Sequence, residues 1–273
     1  MSSYPKISIV TPSFNQAPFV ERTIQSVLTQ QYPCLEYIII DGGSKDGSVD
    51  IIKRYAPALS YWVSEKDEGQ ADAVAKGFNK STGQILGFLN SDDMLAPNAL
   101  FHVAAHFRTQ PSLSVLLGAG AMIDQYDKVL YGTYPVAWGL RALLSLQSRF
   151  MQPAVFFSKR VYDLVGGINR ERQFCLDLDL FVRLAAMPVP HRITYTRLAY
   201  TRLHPLTKTA RLQDVVVKES TMLQKQYRVH PRRGILRFFV PYWRCKHFLL
   251  RCWFEGIRYT LRNRSKEILT QYQ

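Results

Sequence analysis

The sequence predicts an α/β fold: a single mixed, mostly parallel sheet flanked by helices, followed by a C-terminal helical appendage. Three observations lead there. Through the first hundred residues, short β-branched runs alternate with stretches of helical periodicity, the pattern of a sheet covered on both faces. Four of those runs end in clusters of polar residues, as strands do when their carboxyl ends line a ligand crevice. The formal charge of +14 is concentrated toward the C-terminus, which marks that end as a different kind of segment.

The elements follow in order. Residues 7–11 read as a buried strand and 19–30 as a helix, with Pro18 near its start and Pro33 after its end. Residues 35–41 form a second strand. Asp46 is placed to cap a helix running through Tyr55, because its carboxylate can accept from first-turn amides. A strand at 59–63, a helix at 70–80, a strand at 84–89 and a helix at 97–109 complete the first half, residues 1–110. The second half, 111–210, opens with strands and a hairpin over 113–134, turning near Asp124–Lys128. A helix at 138–146, a strand at 153–157, a short helix at 159–165 and a Gly166–Gly167 turn follow. A helix at 177–186 and a strand at 197–203 end the body near residue 210. From residue 212 the chain reads as helical, broken near Pro231 and Pro241, so 211–273 is a separate basic, aromatic tail.

The 273 residues suit one large domain, or one domain with an appendage. At 47% apolar and 21% charged, the composition is ordinary for a globular chain and excludes a fibrous or low-complexity one. Cys34, Cys175, Cys245 and Cys252 lack zinc-type spacing, so thiols in a reducing compartment are expected. Met1 to Lys6 leads straight into a strand with no signal-peptide pattern, and no run reaches the roughly 18 apolar residues of a membrane span.

The polar clusters carry the chemistry. They are Thr11-Pro12-Ser13-Phe14-Asn15, then Asp41-Gly42-Gly43-Ser44, then residues 64–70 ending in Gln70, then Asn90-Ser91-Asp92-Asp93. Adjacent carboxylates such as Asp92 and Asp93 repel unless a cation or a donor network lies between them. One reading is a hard divalent ion, Mg²⁺ or Mn²⁺, shared with a diphosphate. The other is the acidic start of the helix ahead of Pro97. No glycine follows the first strand in a G-x-G-x-x-G pattern and no G-x-x-x-x-G-K-[ST] loop occurs, which argues against a dinucleotide dehydrogenase and a P-loop NTPase. His102 and His106 lack the glutamate of H-E-x-x-H and read as solvated or half-buried.

Taken as an ordered set, these segments resemble the inverting, non-processive family 2 glycosyltransferases of the GT-A fold. The likeness runs through residues 7–15, 23–33, 36–48, 64–77 and 90–93, then Gln152–Phe157, Gly166–Ile168, Asp177–Arg183 and Arg202–Lys208. It covers roughly residues 6–210 and implies a donor half over about 1–110 and an acceptor half over about 111–210. It implies that Pro12, Ser13, Phe14, Asn15 and Asp41 receive the nucleoside of a UDP- or GDP-type sugar donor, with Gln70, Asp72 and Lys76 lining the same pocket. Lys76 is equally readable as a solvated helix lysine. Asp92 is expected to face the ribose and Asp93 the metal, with His204 near the metal and Arg202 and Lys208 clamping the diphosphate. His204, Arg202 and Lys208 also suit a plain charged surface. The family's general base is the aspartate of a Glu-Asp pair at a helix start. Asp177 matches it, Leu176 replaces the glutamate, and Asp179 is the alternative.

The tail stands outside this resemblance. From Val216 onward thirteen Lys/Arg face three Glu, a net +10. Residues 228–264 interleave those charges with Phe238, Trp243, Phe248, Trp253 and Tyr259, as a helix lying on an anionic leaflet does. The alternative is packing on the body with the charges solvated. No RNA-binding motif accompanies the charge, so nucleic acid is not an expected partner. The sequence reading is a metal-dependent transferase of single sugars to a glycan or lipid-linked acceptor, cytoplasmic and peripheral on the inner face of the membrane. A non-catalytic nucleotide-sugar-binding protein and a nucleotidyltransferase are the other readings.

Overall fold

The computed structural model describes residues 4–145, 150–204 and 213–229. Nine strands form one mixed sheet in the order β3-β2-β1-β4-β8-β6-β9-β5, with β7 paired to β6. The strands are β1 (Ile7–Ser13), β2 (Leu35–Asp41), β3 (Tyr61–Ser64), β4 (Ile85–Phe88), β5 (Met94–Leu95), β6 (Val115–Ile123), β7 (Val129–Thr133), β8 (Val155–Ser158) and β9 (His191–Arg202). The helices are α1 (Val20–Leu28), α2 (Ser48–Tyr55), α3 (Gln70–Lys80), α4 (Ala99–Thr109), α5 (Leu140–Leu144), α6 (Lys159–Leu164), α7 (Leu176–Ala186) and α8 (Gln213–Gln226).

β3, β2, β1 and β4 run parallel. Buried on both faces, such strands are mostly apolar, and every residue of β1 is buried, Ser8 and Thr11 included. Side chains alternate between two cores. Val10, Ile38 and Ile40 face a cluster with Val74, Phe78, Leu180 and Phe181. Ile9 and Ile39 face another with Ile24, Leu100 and Val103. α1 buries Val20, Thr23, Ile24 and Val27, the stripe expected of a surface helix. At Gly77, α3 comes so near β1 that an added Cβ would meet Val10 Cγ1 at 2.3 Å.

The acceptor half is tied in by β8, antiparallel to both β4 and β6, and by β9, parallel to β6. β9 begins at His191 rather than 197, because His191–Ile193 already pair with Val115–Leu117. Its charged residues hide the strand in the sequence. β5 was not expected; its two residues pair with Ala199 and Tyr200 of β9. The helix expected from 97 starts at Ala99, after Asn98 turns left-handed at φ 59. Asp46 does receive a first-turn amide, that of Ser48 at 3.0 Å, although Gly47 is the N-cap residue.

Past residue 210, α8 continues the packing of the body. Leu223 and Val229 join the cluster that holds Leu176 and Leu180, and Gln224 Nε2 donates to the Leu144 carbonyl at 2.8 Å. The remainder of the 228–264 segment lies outside the described residues, as do Cys245 and Cys252. Cys34 and Cys175 are reduced thiols. Among the described residues no helix is long and apolar enough to cross a membrane.

Glu36 of β2 joins the amino ends of three elements. It accepts from Ser8 Oγ at 2.6 Å, from Thr82 N and Oγ1 at 2.7 Å each, and pairs with Lys6 at 2.7 Å. Burial alone pushes its carboxyl up, but these donors prevail and bring it from about 4.5 to about 2. A depressed carboxyl stabilises the fold above its unfolded value and loses that effect as pH falls through the folded one. Wild-type stability is therefore expected to decline between about pH 4.5 and about pH 2. Glu36→Gln is expected to cost about 1.5–3 kcal/mol at neutral pH and to flatten that decline, read by urea denaturation across pH.

Candidate active site

Strand register assembles the crevice. β1, β2 and β3 align Ser13 with Asp41 and Asp41 with Ser64, so three polar side chains stand in a row at the carboxyl edge. Asp41 is wholly buried. Its Oδ2 accepts the amides of Gly43 (3.1 Å) and Ser44 (2.9 Å) and the Ser64 hydroxyl (2.7 Å), while Oδ1 accepts Ser44 Oγ at 2.5 Å. The aspartate expected to meet the base is thus turned inward to shape its own loop. Asp67 is the half-buried carboxylate beside that loop, and sequence reasoning missed it. A Cβ on Gly42 would come within 2.7 Å of its Oδ2, so the glycine makes room for it. The available signal was the Gly42-Gly43 pair itself.

The first loop continues from β1. Pro12 and Ser13 are buried, and Ser13 Oγ has no hydrogen-bond partner. Phe14 is 59% exposed. Asn15, at φ 52, staples the first two loops: its N–H donates to Ser44 Oγ at 2.8 Å and its Oδ1 accepts from Lys45 N at 3.0 Å.

α3 carries Gln70, Asp72 and Lys76. Gln70 Nε2 donates to Asn90 Oδ1 at 2.7 Å, linking α3 to the turn after β4. Asp72 is buried and pairs with Lys76 (3.1 Å) and Arg170 (3.2 Å). Burial raises its carboxyl, but the Lys76 ammonium and its other donors hold it below the ordinary value. Lys76 also donates to Glu65 at 2.9 Å, and these two carboxylates raise its ammonium. Lys76 is therefore a half-buried lysine held by two carboxylates.

The Asn90–Asp93 turn leaves β4 beside Val10 and meets the end of β9. Here the two aspartates are placed differently. Asp93 is 2% exposed, with Oδ1 accepting the Arg202 amide at 3.0 Å and Oδ2 accepting from Asn90 Nδ2 at 3.2 Å. Burial, then the neighbouring Asp92, pushes its carboxyl well above the usual range. It underlies the turn. Asp92 is more open, and its Oδ2 lies 3.0 Å from His204 Nε2. The His204 ring rests on Phe19 at 4.4 Å, and its buried Nδ1 has no partner.

Arg202 is not a diphosphate clamp. Its guanidinium is fully buried and donates to the carbonyls of Asp92 (2.8 Å) and Asp124 (3.0 Å) and to the Asp127 carboxylate. Burial raises Asp127, yet Arg202 and Arg22 hold it below the ordinary carboxylate value. Lys208 lies outside the described residues.

On the acceptor side, Asp177 and Asp179 sit in the first turn of α7. Asp179 is buried between two guanidiniums, Arg172 Nε at 3.1 Å and Arg183 at 2.7–2.8 Å. Both of its oxygens are taken, so it is not placed to receive a substrate proton. Asp177 is half-buried, with Oδ1 accepting the Leu178 amide at 2.7 Å. Leu176, which replaces the family glutamate, is a core residue.

Residues 8–149 match the family model described as glycosyl transferase family 2. The chain belongs to that family. An uncharacterized glycosyltransferase of Mycobacterium tuberculosis is 30% identical over 192 residues, covering 70% of this chain and 72% of its own. Chondroitin synthase of Escherichia coli is 28% identical over 203 residues, 72% of this chain but only 29% of that one. The mannosyltransferase PcManGT from Pyrobaculum calidifontis, solved with GDP-Man and Mn²⁺, superposes at a TM-score of 0.62 and 18% identity. The match covers 91% of this glycosyltransferase and 70% of PcManGT, and it shows a common GT-A-type fold.

In this glycosyltransferase the described residues contain no group of three or more His, Cys, Asp or Glu side chains arranged around a metal position. Among the described residues, Asp92 and His204 meet at the carboxyl edge of the sheet. Replacing Arg202 by Met is expected to cost about 2–3 kcal/mol in denaturant unfolding, because it strands buried carbonyls and half of an ion pair.

Proposed function

We propose that this glycosyltransferase moves a single sugar, with inversion, from a UDP- or GDP-type donor to a hydroxyl of a glycan or lipid-linked acceptor. The setting proposed is cell-envelope polysaccharide or glycolipid synthesis, which the likeness to a chondroitin synthase supports. The observation that carries the reading is the Asp92–His204 pair at the carboxyl edge of the sheet, 3.0 Å apart beside an unpartnered imidazole nitrogen.

The pair fits a divalent cation, Mg²⁺ or Mn²⁺. A carboxylate and an imidazole are ordinary ligands for Mn²⁺, and such ions commonly take one or two protein groups with the rest from substrate phosphates. The likeness to PcManGT supports the same view. Such an ion, when bound, stabilises the charge that develops on the departing diphosphate.

The chain's own residues supply the remaining functions. Phe14 offers a face for the base, and Asp67 a carboxylate for its polar edge. Asn15 and Arg202 keep the surrounding loops in register without touching substrate. Asp177 accepts the acceptor's hydroxyl proton while that oxygen bonds to the anomeric carbon and the bond to the diphosphate breaks. One displacement inverts the centre. The Arg170–Asp72 ion pair, joining the approach to α7 with α3, supports a base held opposite the donor pocket.

The basic, aromatic segment 228–264 is proposed to rest on an anionic membrane surface, which brings a lipid-linked acceptor within reach. Each Lys or Arg near such a surface contributes about 1 kcal/mol.

Two measurements check this. Release of nucleoside diphosphate, rather than pyrophosphate, is followed across UDP- and GDP-sugars with Mn²⁺. Asp92→Asn is expected to abolish metal-dependent release. Asp177→Asn is expected to lower turnover by about 10²–10⁴-fold while nucleotide binding persists; wild-type turnover in either variant removes that residue from the mechanism. In the second measurement, the protein is expected to co-sediment with phosphatidylglycerol vesicles in low salt. Replacing Lys246 and Arg251 by Gln is expected to weaken binding by about 2 kcal/mol; equal binding to neutral vesicles would count against the surface.

A further inference from the structure

Helix α8 lies beyond the residues matched by the family model, yet one of its side chains reaches the segment that carries the proposed base. Glu219 is buried, and its carboxylate gathers three consecutive amides just ahead of α7. Oε1 accepts the Gln173 N–H at 2.8 Å, and Oε2 accepts those of Phe174 at 3.1 Å and Cys175 at 2.7 Å. Burial raises the carboxyl, but these amides and the charge of Arg172 hold it below the ordinary value. It is therefore ionised and strongly held.

α7 needs such a partner. Its N-cap, Cys175, supplies no side-chain hydrogen bond to the first turn. A carboxylate from 44 residues further along the chain takes up the amides that lead into it. The Cys175 thiol, raised to about 12 by burial and then by Asp177 and Glu219, lies 3.9 Å from the Val216 carbonyl of the same helix. Arg172, one residue before the three amides, pairs with Asp179. Residues 172–179 are thus fastened from both sides, with Asp177 between the fastenings.

We propose that Glu219 is a positioning residue for transfer, setting the place of Asp177 through the three amides, so that turnover depends on the carboxylate that α8 carries. The inference rests on the reading of Asp177 as the base. Charge-assisted bonds to consecutive amides fix a segment firmly. Misplacement by about 1 Å of a group that acts on the reacting atoms costs about 10²-fold in rate.

The test uses the full chain and five variants: Glu219→Gln, Glu219→Asp, Asp177→Asn, Glu219→Gln with Asp177→Asn, and Leu223→Ala. Turnover is nucleoside diphosphate release from the best nucleotide sugar found with Mn²⁺, and binding is calorimetry with UDP and GDP plus Mn²⁺. Glu219→Gln is expected to lower kcat at least tenfold, to leave nucleotide binding within twofold, and to add no further loss in the Asp177→Asn background. Glu219→Asp is expected to recover part of the rate. Leu223→Ala, which loosens α8 but keeps the carboxylate, is expected to lower Tm while turnover below Tm stays within threefold. Unchanged kcat in Glu219→Gln, a parallel loss of nucleotide binding, or an equal loss in both backgrounds would overturn the positioning role alone. Wild-type turnover in Asp177→Asn would overturn the base assignment itself, and the positioning role with it.

Discussion

The guanidinium of Arg202 sits wholly out of water at the end of β9, between the turn that follows β4 and the hairpin that joins β6 to β7. A buried cation is tolerated only when its donors are answered, and here two carbonyls and the Asp127 carboxylate answer them. Its backbone N–H holds Asp93, and its side chain holds the carbonyl of Asp92. The orientation of the two aspartates follows from that: one turns down into the protein, the other is left at the crevice beside His204. Asn90 extends the network to Gln70 of α3 and to Gln152 ahead of β8, so the donor and acceptor halves share one polar junction.

Around this junction the sheet divides its work. The parallel strands deliver loops to one edge because each must cross over the sheet before the next begins. The strands from β8 onward then bring the acceptor side against β4 and β6. Charges inside the crevice are mostly paired with one another: Asp72 with Lys76 and Arg170, Asp179 with Arg172 and Arg183. Those pairs shape loops and helix starts. The groups left for substrate are fewer than the carboxylates that the sequence supplies.

Much of the fold was legible because the parallel half writes its burial into its composition. β1 and β2 are largely apolar, closed by Ser13 and Asp41, and α1 carries an amphipathic stripe. The misses have a common cause. β9 carries His191, Arg192 and Arg197 within a strand, and β5 has only two residues, so neither shows a period that can be read locally. At the site, the positions of the polar loops were legible, as was Asp177 at the start of α7. The division of labour within Asp92–Asp93, the burial of Arg202, the place of Asp67 beside Gly42, and the reach of Glu219 were not.

The sequence by itself determined the class of fold, the edge of the sheet where polar residues collect, the family, and the concentration of positive charge in the tail. These are local or compositional properties, carried by periodicity and by short motifs. Only the tertiary structure decided which carboxylate meets solvent and which is spent on the protein. That choice depends on partners far away in the chain: an amide 109 residues on for Asp93, three amides 44 to 46 residues back for Glu219. Burial and pairing of a charge arise from the whole packing arrangement, and no window of sequence contains it.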